Sequence, residues 1–178
     1  MIKWILITIG ALIAAFLIYA GFKPDTIRVE RSISIQAPPG KIFAYIADFH
    51  RWRGWSPYEN KDPGMKRAYS GTPSGVGAVY EYSGNRNVGS GRLEITEAVP
   101  ASKIVIKLDF KEPIEGHNVA VFTLVPHGDS TEVSWLMQGP SPYIGKVMQT
   151  IFDMDKMIGT DFAAGLENLK AAAEKAGG

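Results

Sequence analysis

From Trp4 to Phe22 the chain carries no charged residue, and Thr8 is the one polar aliphatic side chain in the run. A soluble surface helix keeps a polar stripe for water, and this stretch has none. At 1.5 Å per residue a helix over these positions covers about 28 Å, close to the ~30 Å hydrocarbon core of a bilayer. Trp4 and Tyr19 stand near its two ends, where amphipathic aromatics prefer the interface. Residues 1–22 therefore read as a transmembrane anchor. The rival is a cleaved signal peptide, whose shorter apolar core is followed by small residues at −3 and −1. With Ala20 at −1, position −3 is the bulky Ile18, so the segment is expected to be retained. Lys3 and the free amine favour an inside N-terminus. Lys23, Arg28 and Arg31 favour the reverse, although the two arginines read as strand residues. The expectation is a single-pass protein of a bacterial inner membrane with its soluble part on the outer, periplasmic side.

Residues 23–26 read as a linker and 27–178 as one domain, long enough to bury a sizeable core. Apolar residues make up 46% and charged residues 21%, an ordinary globular balance. The formal net charge is +1, and the excess positive charge is Lys3 in the leader. A neutral domain has no electrostatic footprint for nucleic acid, and none is expected as a partner. The chain has no cysteine, which removes disulfide scaffolds, thiol catalysis, zinc–thiolate sites and iron–sulfur clusters.

Ile27, Val29, Ile33 and Ile35 alternate with Arg28, Glu30, Ser32 and Ser34, the period of a half-buried strand. Pro38-Pro39-Gly40 stops it and opens a helix with Ile42, Phe43, Ile46 and Phe49 on one stripe. Residues 51–63 read as irregular. Short strands are expected at 65–69, 78–83, 92–99, 103–110, 118–125 and 131–138, with a hairpin turn at Pro126-His127-Gly128-Asp129. From Ser141-Pro142 to Lys175 the pattern is helical, with an interruption near Asp153 or Gly159. Ile158, Phe162, Gly165 and Leu169 share one narrow stripe. An antiparallel sheet with one late, long helix is an α+β arrangement in which that helix must cover the sheet.

Several segments together resemble the START-like, or SRPBCC, superfamily, and more closely its polyketide cyclase/dehydrase and lipid transport branch. They are Val29–Ile35 with Ala37-Pro38, Trp52-Arg53-Gly54-Trp55-Ser56-Pro57, Tyr69-Ser70-Gly71, Gly75-Val76-Gly77, Val88-Gly89-Ser90-Gly91, Thr131–Trp135, and Gly165-Leu166-Glu167-Asn168-Leu169-Lys170. No single piece is specific; their order and spacing are. The resemblance implies a helix-grip fold: a curved antiparallel sheet of about seven strands wrapped on the C-terminal helix, with a hydrophobic cavity between them. Relatives bind lipids, sterols or polyketides, act as cyclases, or bind proteins, so the fold does not settle the function.

Trp52 and Trp55 either form a lid at a cavity mouth or plug one end of the core. Tyr69, Tyr80, Tyr82, Phe122 and Trp135 fall on strands, where alternate side chains face inward to line a pocket or pack the core. Ile158, Asp161, Phe162 and Gly165 lie on or beside the helix stripe. The missing side chain at Gly165 either leaves room for a ligand or permits close approach of helix to strand. Asp153 and Asp155 point in different directions on a helix and make a poor metal pair. His50, placed to meet Glu59, and His117 and His127 lack metal-ligand spacing. The glycines between 84 and 91 join strand to strand and cannot form a phosphate cradle, which needs a helix N-terminus. No catalytic residue, metal or cofactor is expected.

Three functions remain open on sequence. The first is a membrane-tethered binder of a hydrophobic small molecule or lipid. The second is a cyclase or dehydrase, which needs an acid or base in the pocket. The third is a protein-interaction module with a filled interior. The first is the reading the residues favour.

Overall fold

A computed structural model describes residues 1–175. The first helix, α1, runs Ile2–Gly21 and exposes nearly all its apolar side chains, Ala20 alone being buried. It is long and apolar enough to cross a membrane.

Seven strands follow in one antiparallel sheet: β1 (Thr26–Ile35), β2 (Lys66–Gly71), β3 (Ala78–Ser83), β4 (Ser90–Val99), β5 (Lys103–Glu112), β6 (Gly116–His127) and β7 (Ser130–Pro140). Their order is β1-β7-β6-β5-β4-β3-β2, so the meander β2 to β7 is closed at one side by the first strand. Alternation decides which side chains are buried. Val29 and Ile35 on β1, Leu93 and Ile95 on β4, Ile104, Ile106 and Leu108 on β5, and Ala120, Phe122 and Leu124 on β6 all face one side. Burying each large side chain is worth roughly 1.5–3 kcal/mol.

Three α-helices and a 3-10 helix cover that face, and a further α-helix packs beside α1. Pro39, tolerated in a first turn, starts α2 (Pro39–Ile46), which buries Ile42 and Ile46. The stretch expected to be irregular contains a 3-10 helix, Phe49–Gly54, and a one-turn helix, α3 (Pro57–Lys61). The C-terminal helical pattern is two helices, α4 (Tyr143–Ile151) and α5 (Met154–Lys175). The break falls at Phe152-Asp153, where the Asp153 carboxylate accepts from the Lys156 amide at 2.9 Å and starts α5. Gly159 does not interrupt the helix. Its bare backbone accommodates the Arg31 guanidinium, which crosses from β1 to the Asp155 carboxylate at 2.9 Å and the Asp155 carbonyl at 3.0 Å. Phe162, Leu166, Leu169 and Ala173 form the buried stripe of α5 against the sheet. This is the α+β helix-grip architecture, a curved sheet holding its long last helix.

A lined cavity and its buried carboxylate

The two ends of the sheet are filled differently. At the end carrying Ile35 and the β4–β5 turn, Ile42, Ile46, Ile104, Ile106 and Leu169 close the interior. At the other end the helices stand off the strands and leave a cavity of about 230 Å³. Leu93, Leu108, Phe110, Ala120 and Met137 form its floor on the sheet. Phe162 of α5, Trp52 of the 3-10 helix, and Ser56, Tyr58 and Glu59 around α3 form its roof, with Met65 beside them. Its rim is Val88 and the β5–β6 turn, Glu112-Pro113-Ile114.

One buried carboxyl group is built into this apolar wall. Glu59 is 6% exposed. Its Oε1 accepts from the Tyr80 hydroxyl at 2.8 Å, and its Oε2 from Arg67 Nε at 2.8 Å. Arg67 points inward from β2 and also donates to the Met65 carbonyl at 2.5 Å. A buried carboxylate needs such partners, because desolvation alone would cost several kcal/mol. Burial, reinforced by the hydrogen bond to Glu59, pushes the Tyr80 hydroxyl well above its ordinary range, so it remains a neutral donor. Burial pushes Tyr82 up to about 12 and raises Tyr58 further.

Trp135 stands where floor meets roof. Its ring stacks on Phe162 with centroids 4.0 Å apart, and Trp55 meets it edge-on at 5.8 Å. Among the described residues, the only buried side-chain polar atoms without a hydrogen-bond partner are Trp135 Nε1 and the Tyr69 hydroxyl. Trp52 and Trp55 have partners: their Nε1 atoms donate to the carbonyls of Ile46 at 2.9 Å and Tyr45 at 3.2 Å.

The family described as polyketide cyclase / dehydrase and lipid transport matches residues 26–174, the span from the first strand to the end of the last helix. The chain belongs to that family. A protein from Thermobifida fusca is 22% identical with a TM-score of 0.63, over 83% of this chain and 93% of that one. The Aha1 dimer from Colwellia psychrerythraea is 18% identical with a TM-score of 0.60, over 85% of this chain and 99% of that one. The di-domain ARO/CYC StfQ from the steffimycin biosynthetic pathway is 12% identical with a TM-score of 0.62, over 84% of this chain and 51% of that one. At these identities the likeness speaks for the fold. No curated protein matches the sequence.

Within this family member, five of the side chains singled out on sequence border the cavity: Trp52, Tyr80, Tyr82, Trp135 and Phe162. Six stand elsewhere. Trp55 and Phe122 are core, Phe122 lying 4.9 Å from Trp135 ring to ring. Tyr69 stacks between Tyr80, at 5.2 Å, and His50, at 4.1 Å. Ile158 is half-buried against the core, and Asp161 pairs with Lys61 at 2.6 Å. Gly165 is a correction to the cavity reading. A Cβ there would lie 2.8 Å from Pro57 Cδ and 2.9 Å from Trp135 Cζ3, so the glycine serves close packing rather than a gap. His50 does not meet Glu59; its Nδ1 lies 3.1 Å from Asp48. His117 pairs with Asp109 at 2.7 Å, and His127 lies 3.6 Å from Glu132. Among the described residues no three His, Asp or Glu side chains gather as a metal site.

Glu59, Tyr58 and Arg67 are the residues that sequence reasoning missed. Ser56-Pro57-Tyr58-Glu59 carries a helix-start pattern, a capping residue, a first-turn proline and a glutamate three residues on. That pattern locates α3. It does not reveal that Glu59 turns away from Ser56 toward Arg67 and Tyr80.

Proposed function

We propose that this protein is a membrane-anchored binding module that holds a hydrophobic small molecule, or one apolar arm of a lipid, in the cavity between the sheet and α5. Residues 1–22 anchor it, 23–26 link, and 27–178 bind, with the domain on the outer side of a bacterial inner membrane. The observation that carries the reading is the cavity, whose floor is apolar and whose rim is open at Glu112–Ile114. Its volume lies just below the ~300–1,000 Å³ of sites for drug-sized ligands, which suits a compact molecule or a single chain of a larger one. The exposed apolar surface of α1 supports the anchor, because lipid is the medium that would cover it.

A second reading, a cyclase or dehydrase acting on such a ligand, is favoured by one observation: a carboxylate, Glu59, in the cavity wall. Both its oxygens are already engaged, which suits a structural charge better than a free base. The deciding experiment is organic extraction of the purified full-length protein followed by mass spectrometry. A stoichiometric apolar compound is expected, and Leu93→Trp, which fills the cavity floor, should remove it. Equal compound in both preparations would end the cavity reading. Conversion of the released compound by wild type but not by Glu59→Gln would establish the enzyme.

A further inference from the structure

The strand register divides the sheet into two ends, and the cavity rim and the anchor share one of them. Thr26 pairs with Pro140, Phe110 with Gly116, and Ser90 with both Ser83 and Glu112. The start of β1, the end of β7, the β3–β4 turn and the β5–β6 turn therefore lie along one edge line. The rim residues Val88 and Glu112–Ile114 sit in those two turns. Helix α1 arrives at the same end, because only residues 22–25 separate it from β1. The β5–β6 turn is two to three strands from β1, about 10–15 Å at ~4.8 Å per strand.

Helix α4 leaves β7 at this end and folds back beside α1. The Tyr143 hydroxyl donates to the Leu17 carbonyl at 2.8 Å, and Lys146 Nζ donates to the Gly21 carbonyl at 3.4 Å and pairs with Asp25. Leu17 lies four residues before the end of α1, about 6 Å back along the helix at 1.5 Å per residue. The first turn of α4 is thus drawn level with the apolar run itself. There Tyr143 is 52% exposed and Ile144 55%, while at the rim Ile114 is 49% exposed. These side chains are half open to solvent, and the two on α4 stand at a height along α1 that matches a headgroup–acyl boundary, ~5–10 Å deep. Tyr19 and Lys23, with the ammonium 5.3 Å from the ring, mark the same level on α1.

We infer that this end of the sheet rests on the bilayer, with Tyr143, Ile144 and Ile114 in the interface, so that the cavity opens onto lipid and takes its occupant from the membrane phase rather than from water. The inference rests on the reading of residues 4–22 as a membrane span. It explains why α4 is amphipathic yet buries no residue fully.

The native chain has no cysteine, so single labels can be placed without other changes. Four full-length variants, Leu12→Cys, Ile114→Cys, Ile144→Cys and Asp129→Cys, are spin-labelled and reconstituted in phosphatidylcholine vesicles. Accessibility to oxygen is compared with accessibility to a water-soluble nickel chelate. Position 12 reports the anchor, and Asp129, in the β6–β7 turn, reports the far end of the sheet. The oxygen preference at 114 and 144 should exceed that at 129 several-fold and approach that at 12. A lipid-embedded label at 12 with either 114 or 144 as aqueous as 129 overturns the inference and leaves the anchor standing. An aqueous label at 12 removes the anchor and the inference with it.

Discussion

A side chain at position 165 meets two rigid rings. The contact distances to Pro57 and Trp135 fall below 3.0 Å already at Cβ, and neither partner is the loose end of a flexible chain. Gly165→Leu should therefore overpack the joint between α3, α5 and β7 at a cost of about 1–3 kcal/mol. Thermal unfolding should show a fall of several degrees in Tm; an unchanged or raised Tm would restore the cavity reading at this position.

Elements here are tied to one another by charges that periodicity does not announce. The one-turn helix α3 is held to β2 and β3 through Glu59, Arg67 and Tyr80. Glu59→Ala leaves Arg67 buried without its counter-charge, and denaturant unfolding should register a loss of about 3–5 kcal/mol. The start of α5 is held to β1 by Arg31. Those hydrogen bonds keep the Asp155 carboxyl below its ordinary value of 3.8. A depressed carboxylate stabilises the fold above its unfolded-state pKa and stops doing so as pH falls through the lower folded-state value. Stability should thus fall more steeply below about pH 4 in wild type than in Arg31→Met, measured by urea titration at a series of pH values. The strand alternation of β1 and β4–β7 was readable because period 2 separates Val29 and Ile35 from Arg28 and Glu30 without ambiguity. The same alternation turns Arg67 inward on β2, and hydrophobic patterning has no means of expecting a guanidinium there. Helix α3 is too short for any period to show. The stripe of α5 was legible at Phe162 and Leu169, but Gly165 carries no side chain, so its neighbours had to come from tertiary structure.

The whole molecule joins an exposed apolar helix to a domain with its own core, and α4 supplies side-chain ties between them: Tyr143 to Leu17, Lys146 to Gly21. Removing residues 1–22 should therefore release the remainder into the aqueous fraction with its circular dichroism and Tm little changed, whereas the intact chain partitions into detergent. Aggregation of the shortened chain would mean that α1 belongs to the fold. The four tryptophans are divided in the same way, Trp4 on α1 and Trp52, Trp55 and Trp135 in one contiguous aromatic knot, 4.9 Å between the first two rings and 5.8 Å between the last two. Two of those three indoles form part of the cavity wall. Nearly all the ultraviolet emission of the sheet-and-helix domain therefore originates within one cluster beside the cavity, close enough for excitation to pass from ring to ring, so a molecule entering the cavity should alter colour and brightness without any added dye.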